Sequence, residues 1–238
     1  MSVHSSLRTL ALLGTVAALS ACSRGDSPTY FPLGGEQHWE YRYHETNPLV
    51  DNSQRFDIDN AGSRRRNDQR HYLRRNENGT EYWLKIDGGD VLRVATRTAV
   101  EEEPTTDETP LKVMPVKPAI GDSWTILSQP FILERAEPFR ERFTHDESKR
   151  FELHQKVVSL DEEVTVPAGT FQHCLKIEGE ALIHVLADPR LGGSEVPIRQ
   201  TEWYAPGVGL IKLHRVEELG TAQIVGGEVV MELVDYRD

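Results

Sequence analysis

The chain has 238 residues, of which 27 are Lys or Arg and 38 are Asp or Glu, for a formal charge of −11. A balance this acidic opposes a nucleic-acid partner and opposes docking on anionic lipid by net charge, since both would repel the molecule as a whole. The length allows one large domain or two small ones, with enough residues for a packed core.

In chain order, residues 1–21 begin with the basic Arg8, continue through an apolar run of ten residues from Leu10 to Leu19, and end in Ser20 and Ala21 before Cys22. A basic start, a short apolar stretch and small residues make a secretory signal peptide. The run is too short for a permanent anchor, because a membrane-crossing helix needs roughly twenty apolar residues. Leu19-Ser20-Ala21-Cys22 resembles the lipobox of bacterial lipoproteins. That resemblance implies cleavage after Ala21, diacylation of the Cys22 sulfur and acylation of the new amino terminus. Two or more acyl chains hold a protein on a bilayer stably where one does not, so the membrane is an expected partner through this anchor. Ser23 after the cysteine, in place of an aspartate, implies an outer-membrane address facing the periplasm. Without residues 1–21, which carry one arginine and no acid, 217 residues remain with 26 basic and 38 acidic side chains, a charge of −12. Lipidation of Cys22 leaves Cys174 as the remaining cysteine, so no intramolecular disulfide forms.

Residues 22–29 read as the lipidated start and a short turn-prone tether, and 30–238 as a single β-rich domain. Alternation puts Trp39, Tyr41 and Tyr43 on one face of a strand and His38, Glu40, Arg42 and His44 on the other. Asn78-Gly79 predicts a two-residue hairpin between 71–75 and 80–86, and Asp87-Gly88-Gly89 predicts a turn into 91–98, which makes a three-stranded meander. Residues 101–110 hold nothing apolar to bury and read as an acidic loop. Short strands follow at 111–116, 124–127 and 131–133; Phe139 and Phe143, one helical turn apart after Pro138, predict a short helix. Further strands are expected at 151–160, 164–166, 171–186, 196–204, 209–217 and 223–236. Val229 to Tyr236 is apolar on both faces and belongs near the sheet centre. Sequential strands with short connections pair antiparallel, and with almost no helices their apolar faces must cover each other. The expected fold class is all-β: an antiparallel curved sheet, sandwich or partial barrel with at most one short helix.

Three stretches carry a resemblance: Tyr30-Phe31-Pro32-Leu33 with Trp39; Val166-Pro167-Ala168-Gly169-Thr170-Phe171 with Cys174-Leu175; and Trp203 through Lys212. Together they resemble the TapB-like lipoproteins, bacterial envelope proteins built on a β-rich domain of unknown function. The resemblance implies a fold and a location, and no reaction. Glu36 departs from it, standing where a glycine is expected. In physical terms, Pro167-Ala168-Gly169 and Ala205-Pro206-Gly207-Val208-Gly209 are hairpin turns.

Candidate chemistry is sparse. Cys174 has His173 beside it, but neighbours on a strand point to opposite faces unless a bulge intervenes, so the pair forms no thiolate–imidazolium dyad. Cys174 reads as a passive, partly covered residue. The mature histidines, at 38, 44, 71, 145, 154, 173, 184 and 214, show no metal-ligand spacing, and no metal or cofactor is expected. Paired carboxylates such as Glu162-Glu163 and Glu217-Glu218 read as solvated turn and strand-end charges. The basic cluster Arg64, Arg65, Arg66, Arg70, Arg74 and Arg75 is a candidate for docking a partner's acidic surface or a lipid phosphate, or guards a hairpin edge against pairing, and the acidic loop at 101–110 is a candidate to neutralise it.

These residues point to a membrane-anchored, non-catalytic envelope lipoprotein that acts as a binding or assembly accessory for an unidentified envelope protein. The alternative is a periplasmic carrier of a lipid or other hydrophobic ligand, in a cavity lined by residues such as Trp39, Tyr41, Tyr82 and Leu84. An enzyme would require a cleft that converges Cys174 or several histidines.

Overall fold

The computed structural model describes residues 29–136, 140–143, 150–188, 192–217 and 224–238. The signal peptide, Cys22 and most of the tether lie outside the described residues, as do Pro138 and Phe139; where the segment of the expected helix is described, Glu141 and Arg142 pair as a short strand with Arg135 and Glu134 instead. Fifteen strands are formed among the described residues: β1 (His38–Asn47), β2 (Val50–Arg66), β3 (Gln69–Asn76), β4 (Glu81–Asp87), β5 (Asp90–Arg97), β6 (Thr105–Pro115), β7 (Ser123–Ser128), β8 (Glu134–Arg135), β9 (Glu141–Arg142), β10 (Phe151–Val166), β11 (Gly169–Asp188), β12 (Gly192–Ala205), β13 (Gly209–Glu217), β14 (Ile224–Val225) and β15 (Gly227–Arg237). Twelve make one antiparallel sheet in the order β6-β5-β4-β3-β2-β1-β15-β13-β12-β11-β10-β7, while β14, β8 and β9 make a small second sheet.

The large sheet is rolled. One core cluster joins Leu84, Val91 and Met114 of β4, β5 and β6 to Trp124, Val157, Leu175, Ile177 and Tyr204 of β7 and β10 to β12, so residues from the two ends of the strand order meet inside. The terminal strands β6 and β7 come to lie side by side without a hydrogen-bonded ladder, and the roll is a nearly closed barrel. The all-β expectation holds, and β15 takes the central place between β1 and β13 that its two-faced apolar pattern demands.

The turns follow local chemistry. At the β4–β5 tip both Gly88 and Gly89 take positive φ (60° and 89°), a conformation that glycine adopts without strain. Two segments depart from the sequence reading. β2 is a 17-residue strand although its side chains are mostly polar; its backbone pairs with β1 on one edge and β3 on the other, and Phe56 stacks on Tyr41 at 5.4 Å. The acidic loop ends early: Thr105 and Thr106 already pair with Thr96 and Ala95, and the extra residues before Leu111 bulge out so that Asp107 reaches Arg93 at 3.1 and 3.2 Å.

Both ends of the roll are stoppered by segments outside the large sheet. Where the chain enters, Tyr30 and Leu33 join the core, and the Arg74 guanidinium donates to the Pro32 carbonyl at 2.7 Å while lying 4.2 Å from the Phe31 ring and 4.8 Å from the Trp39 ring. At the opposite end, residues 129–133, which follow β7, cross beneath the end of β13. There Glu217 accepts the backbone N–H groups of Phe131, Ile132 and Leu133 at 2.8, 3.0 and 3.1 Å, and Arg215 donates to Glu217 at 2.7 Å, to Ser128 Oγ at 3.0 Å and to the Gln129 carbonyl at 2.9 Å. Both side chains are fully buried. Gly226 is pressed against this point: a Cβ there would stand 1.8 Å from the Glu217 carbonyl oxygen, so no larger residue fits.

Removing one member of a buried ion pair strands the other's charge, at a cost of about 3–5 kcal/mol, whereas replacing both with apolar residues is often neutral. Glu217→Ala is therefore expected to lower unfolding stability in urea by at least that amount, and Arg215→Met combined with Glu217→Leu, which removes the stranded charge but still leaves the N–H groups of Phe131, Ile132 and Leu133 without an acceptor, to recover only part of the loss. A loss below about 1 kcal/mol for Glu217→Ala would contradict the latch.

Candidate functional site: the open seam

The seam between β6 and β7 is where the roll fails to close, and its floor is built by β12. Along β12 the inward positions are Val196, Ile198, Gln200, Glu202 and Tyr204, all buried, so the alternation of the strand aims two polar side chains into the core. Glu202 accepts from Tyr204 Oη at 2.6 Å, Gln200 Nε2 at 2.5 Å and Gln155 Nε2 at 3.3 Å. Gln200 Oε1 in turn accepts from Arg215 Nη1 at 2.9 Å. A continuous polar chain, Gln155–Glu202–Gln200–Arg215–Glu217, thus crosses the interior from the seam to the far latch. Burial pushes the Glu202 carboxyl above its ordinary range, with its hydrogen bonds and the Arg215 charge acting the other way. Burial and the neighbouring Glu202 carboxylate also raise the Tyr204 phenol well above its usual value.

Above this floor the seam holds a hollow of about 210 Å³ with Arg93, Lys112 and Ile126 in its walls. Through Arg93, Leu111 and Leu127, which line both, it runs into a groove of about 620 Å³ that reaches Glu101, Gln129 and Phe131. The cations at the mouth are matched: Arg93 pairs with Asp107 at 3.1 Å and Lys112 with Asp90 at 2.8 Å. Leu127 stands 49% exposed at the free edge. The walls are mixed, with Leu111, Leu127 and Phe131 among Thr96, Thr98, Glu101, Asp107 and Gln129, over a hydrogen-bonded floor.

The structure distributes the sequence candidates as follows. The arginine cluster is divided. Arg64, Arg65 and Arg70 are exposed near the β2–β3 tip, and Arg66 reaches Thr106 at 3.5 Å. Arg75 pairs with the buried Glu81 at 2.6 Å, and Arg74 is an internal strut whose burial pulls it down to about 10. The acidic loop does not neutralise the cluster, because Glu101 turns back onto Thr98 and Asp107 onto Arg93. Cys174 is fully buried, more covered than expected, in a cluster with Trp39, Tyr41, Val164 and Ile211. His173 sits at φ 56° in a bulge and turns outward to Asp161 at 2.6 Å, leaving the thiol no base. Burial, with the Glu162 carboxylate, pushes the Cys174 thiol up to about 11. The reading of Glu217 as a solvated strand-end charge is corrected, since it is the buried anchor of residues 131–133; Glu218 lies outside the described residues. Among the described residues no three His, Cys, Asp or Glu side chains cluster as a metal site would require. Trp39 and Tyr41 do not line a void: they donate to the Val208 and Leu210 carbonyls, each at 2.8 Å.

Sequence reasoning missed Gln155, Gln200, Glu202 and Arg215. The signal was present in two alternating runs, Val196-x-Ile198-x-Gln200-x-Glu202-x-Tyr204 and Ile211-x-Leu213-x-Arg215-x-Glu217, where polar residues continue the apolar phase.

Comparison with known proteins adds a family likeness to this geometry. Residues 144–223, about a third of the chain, match the DUF3108-like family. The stretch spans β10 to β13, including Gln155, Glu202 and the Arg215–Glu217 pair, and two of the three motifs read as TapB-like lie within it; the TapB-like name itself is not the one matched. Among solved structures, a candidate lipoprotein from Parabacteroides distasonis is similar at 14% identity and a TM-score of 0.49, over 90% of this chain and 100% of that one. A candidate exported protein with a YmcC-like fold from Bacteroides fragilis is similar at 12% identity and a TM-score of 0.40, over 89% and 100%. No curated protein matches the chain.

The raised Glu202 carboxyl has a testable sign. Its protonated form is favoured in the folded state, so its stabilising contribution is complete below the ordinary value of 4.5 and is lost as the pH rises through the folded value. Glu202→Gln, which keeps the shape and can still bond Tyr204, is expected to gain stability relative to the native protein as pH rises from 4 to 8 in urea titrations. A difference that stays flat with pH would show that the carboxyl is not displaced.

Proposed function

We propose that the chain is a non-catalytic lipoprotein of the bacterial cell envelope, tethered through Cys22 to the outer membrane on its periplasmic side, and that it serves as a binding or assembly accessory whose partner engages the open seam. The observation that carries this reading is the filled interior combined with unpaired sheet edges. A carrier of apolar molecules needs an enclosed apolar cavity, whereas the middle of this roll is occupied by Trp124, Leu175, Tyr204 and the polar chain from Gln155 to Glu217. Edge strands, by contrast, present rows of backbone donors and acceptors that pair with an extended segment of another protein. The groove beside the free edges of β6 and β7 offers such a segment apolar walls at Leu111 and Leu127.

Support for the non-catalytic part comes from the burial of the one described thiol, pushed up to about 11 with His173 turned away from it, and from the matched charges of Arg93 and Lys112. The address rests on the amino-terminal sequence, in which a signal peptide leads directly to Leu19-Ser20-Ala21-Cys22.

Native mass spectrometry of residues 23–238, purified without detergent, distinguishes the accessory from the carrier. The expected result is the mass of the bare polypeptide. A reproducible extra mass that leaves on denaturation and proves to be a lipid would overturn the accessory reading in favour of the carrier.

A further inference from the structure

At the end of the roll where the chain enters, an apolar opening faces outward. A hollow of about 410 Å³ there is lined by Thr29, Phe31, Leu33, Ile86 and Val116, which places the first described residue, the β4–β5 tip and the start of the loop after β6 around one opening. The Val116 N–H donates to the Gly89 carbonyl at 2.9 Å, fastening that loop to the tip. Two of the largest exposed apolar side chains belong to these elements, Ile86 at 52% and Ile120 at 68%. Charge around the opening is partly matched: Lys85 holds Asp87 at 2.8 Å and Lys112 holds Asp90 at 2.8 Å, whereas Asp122 keeps its charge while accepting the Ala119 N–H at 2.9 Å, and Lys117 is exposed beside Ile120.

What covers this surface follows from the length of chain outside the described residues. Six residues, 23–28, separate Cys22 from Thr29, which makes seven Cα–Cα steps. At no more than about 3.5 Å per residue the tether reaches roughly 25 Å, so an anchored Cys22 holds this end close to the bilayer. An exposed isoleucine gains free energy on leaving water for the interface, and the exposed Lys117 can keep its ammonium at the headgroup level while Ile120 enters the boundary.

We propose that the chain-entry end of the barrel is a second, protein-made membrane contact, in which Ile86 and Ile120 rest in the headgroup–acyl boundary of the bilayer that holds the Cys22 lipid. The contact rests on the lipoprotein reading above and adds an orientation to it: the opposite end of the roll, with Leu49 and Val100, points into the periplasm, and the seam runs away from the membrane between the two.

The chain itself supplies a clean probe, because Cys22 is lipidated under this reading and Cys174 is buried. Single variants Ile86→Cys, Ile120→Cys and, as a control at the other end, Val100→Cys, each in the full-length lipidated protein, would be labelled with an environment-sensitive fluorophore and reconstituted into phosphatidylethanolamine–phosphatidylglycerol vesicles. Val100 is 93% exposed and lies beyond the far end of β5. The expected result is co-flotation of all three, with blue-shifted emission that lipid-borne quenchers reach at positions 86 and 120 and water-like emission at 100. Co-flotation with water-like emission at all three positions would overturn the contact and leave the anchor standing. Failure to float would overturn the anchor, and the contact with it.

Discussion

Burying a guanidinium and a carboxylate removes two charges from water, and the loss is recovered only if nearly every polar atom of both finds a partner. Arg215 and Glu217 meet that condition by recruiting main chain. The carboxylate takes three successive backbone N–H groups and the guanidinium takes a backbone carbonyl, a serine hydroxyl and a glutamine amide. Residues 129–133, which have no ladder of their own, are held across the end of the barrel by this pair. Leu133 is thereby delivered to the cluster with Phe143, Leu153, Ile183 and Ile198. The small sheet follows from the same latch, because β8 begins at the next residue, Glu134.

The latch also shapes the seam. Arg215 continues through Gln200 to Glu202, so the polar chain that fills the middle of the roll is anchored at one end by the ion pair and opens at the other beneath β6 and β7. An interior organised this way has its hydrogen bonds committed internally and offers little room for an apolar cargo. At the chain-entry end Arg74 plays a parallel part, fixing Phe31 and Pro32 over Trp39. Two arginines thus stopper the two ends, Arg215 fully buried and Arg74 half-buried, and the edge left without a ladder runs between them.

Much of the frame was legible in the sequence because turns announce themselves through backbone chemistry. Asn78-Gly79, Gly88-Gly89, Pro167-Ala168-Gly169 and the Pro206–Gly209 turn each fall between strands as their residues require. The central place of β15 was readable from its two apolar faces. β2 was not, since a strand paired on both edges needs no apolar alternation when its faces remain largely in water, and its register shifts near Gly62. The site was hidden for the opposite reason. Glu202, Arg215 and Glu217 occupy inward positions that sequence patterning assigns to apolar residues, and charge at a strand end reads as solvent exposure unless a partner from a distant segment is known. For Glu217 the partners are more than eighty residues away.

Hydrogen exchange followed residue by residue would discriminate most directly. If Glu217 latches the far end and the seam lacks a ladder, the amides of Phe131, Ile132 and Leu133 exchange as slowly as those of β13 and β15 despite lying outside any strand, while the facing edges of β6 and β7 exchange much faster. Loop-like exchange at 131–133, or protection at the β6–β7 edges equal to that of the central strands, would contradict a latched barrel with an open seam.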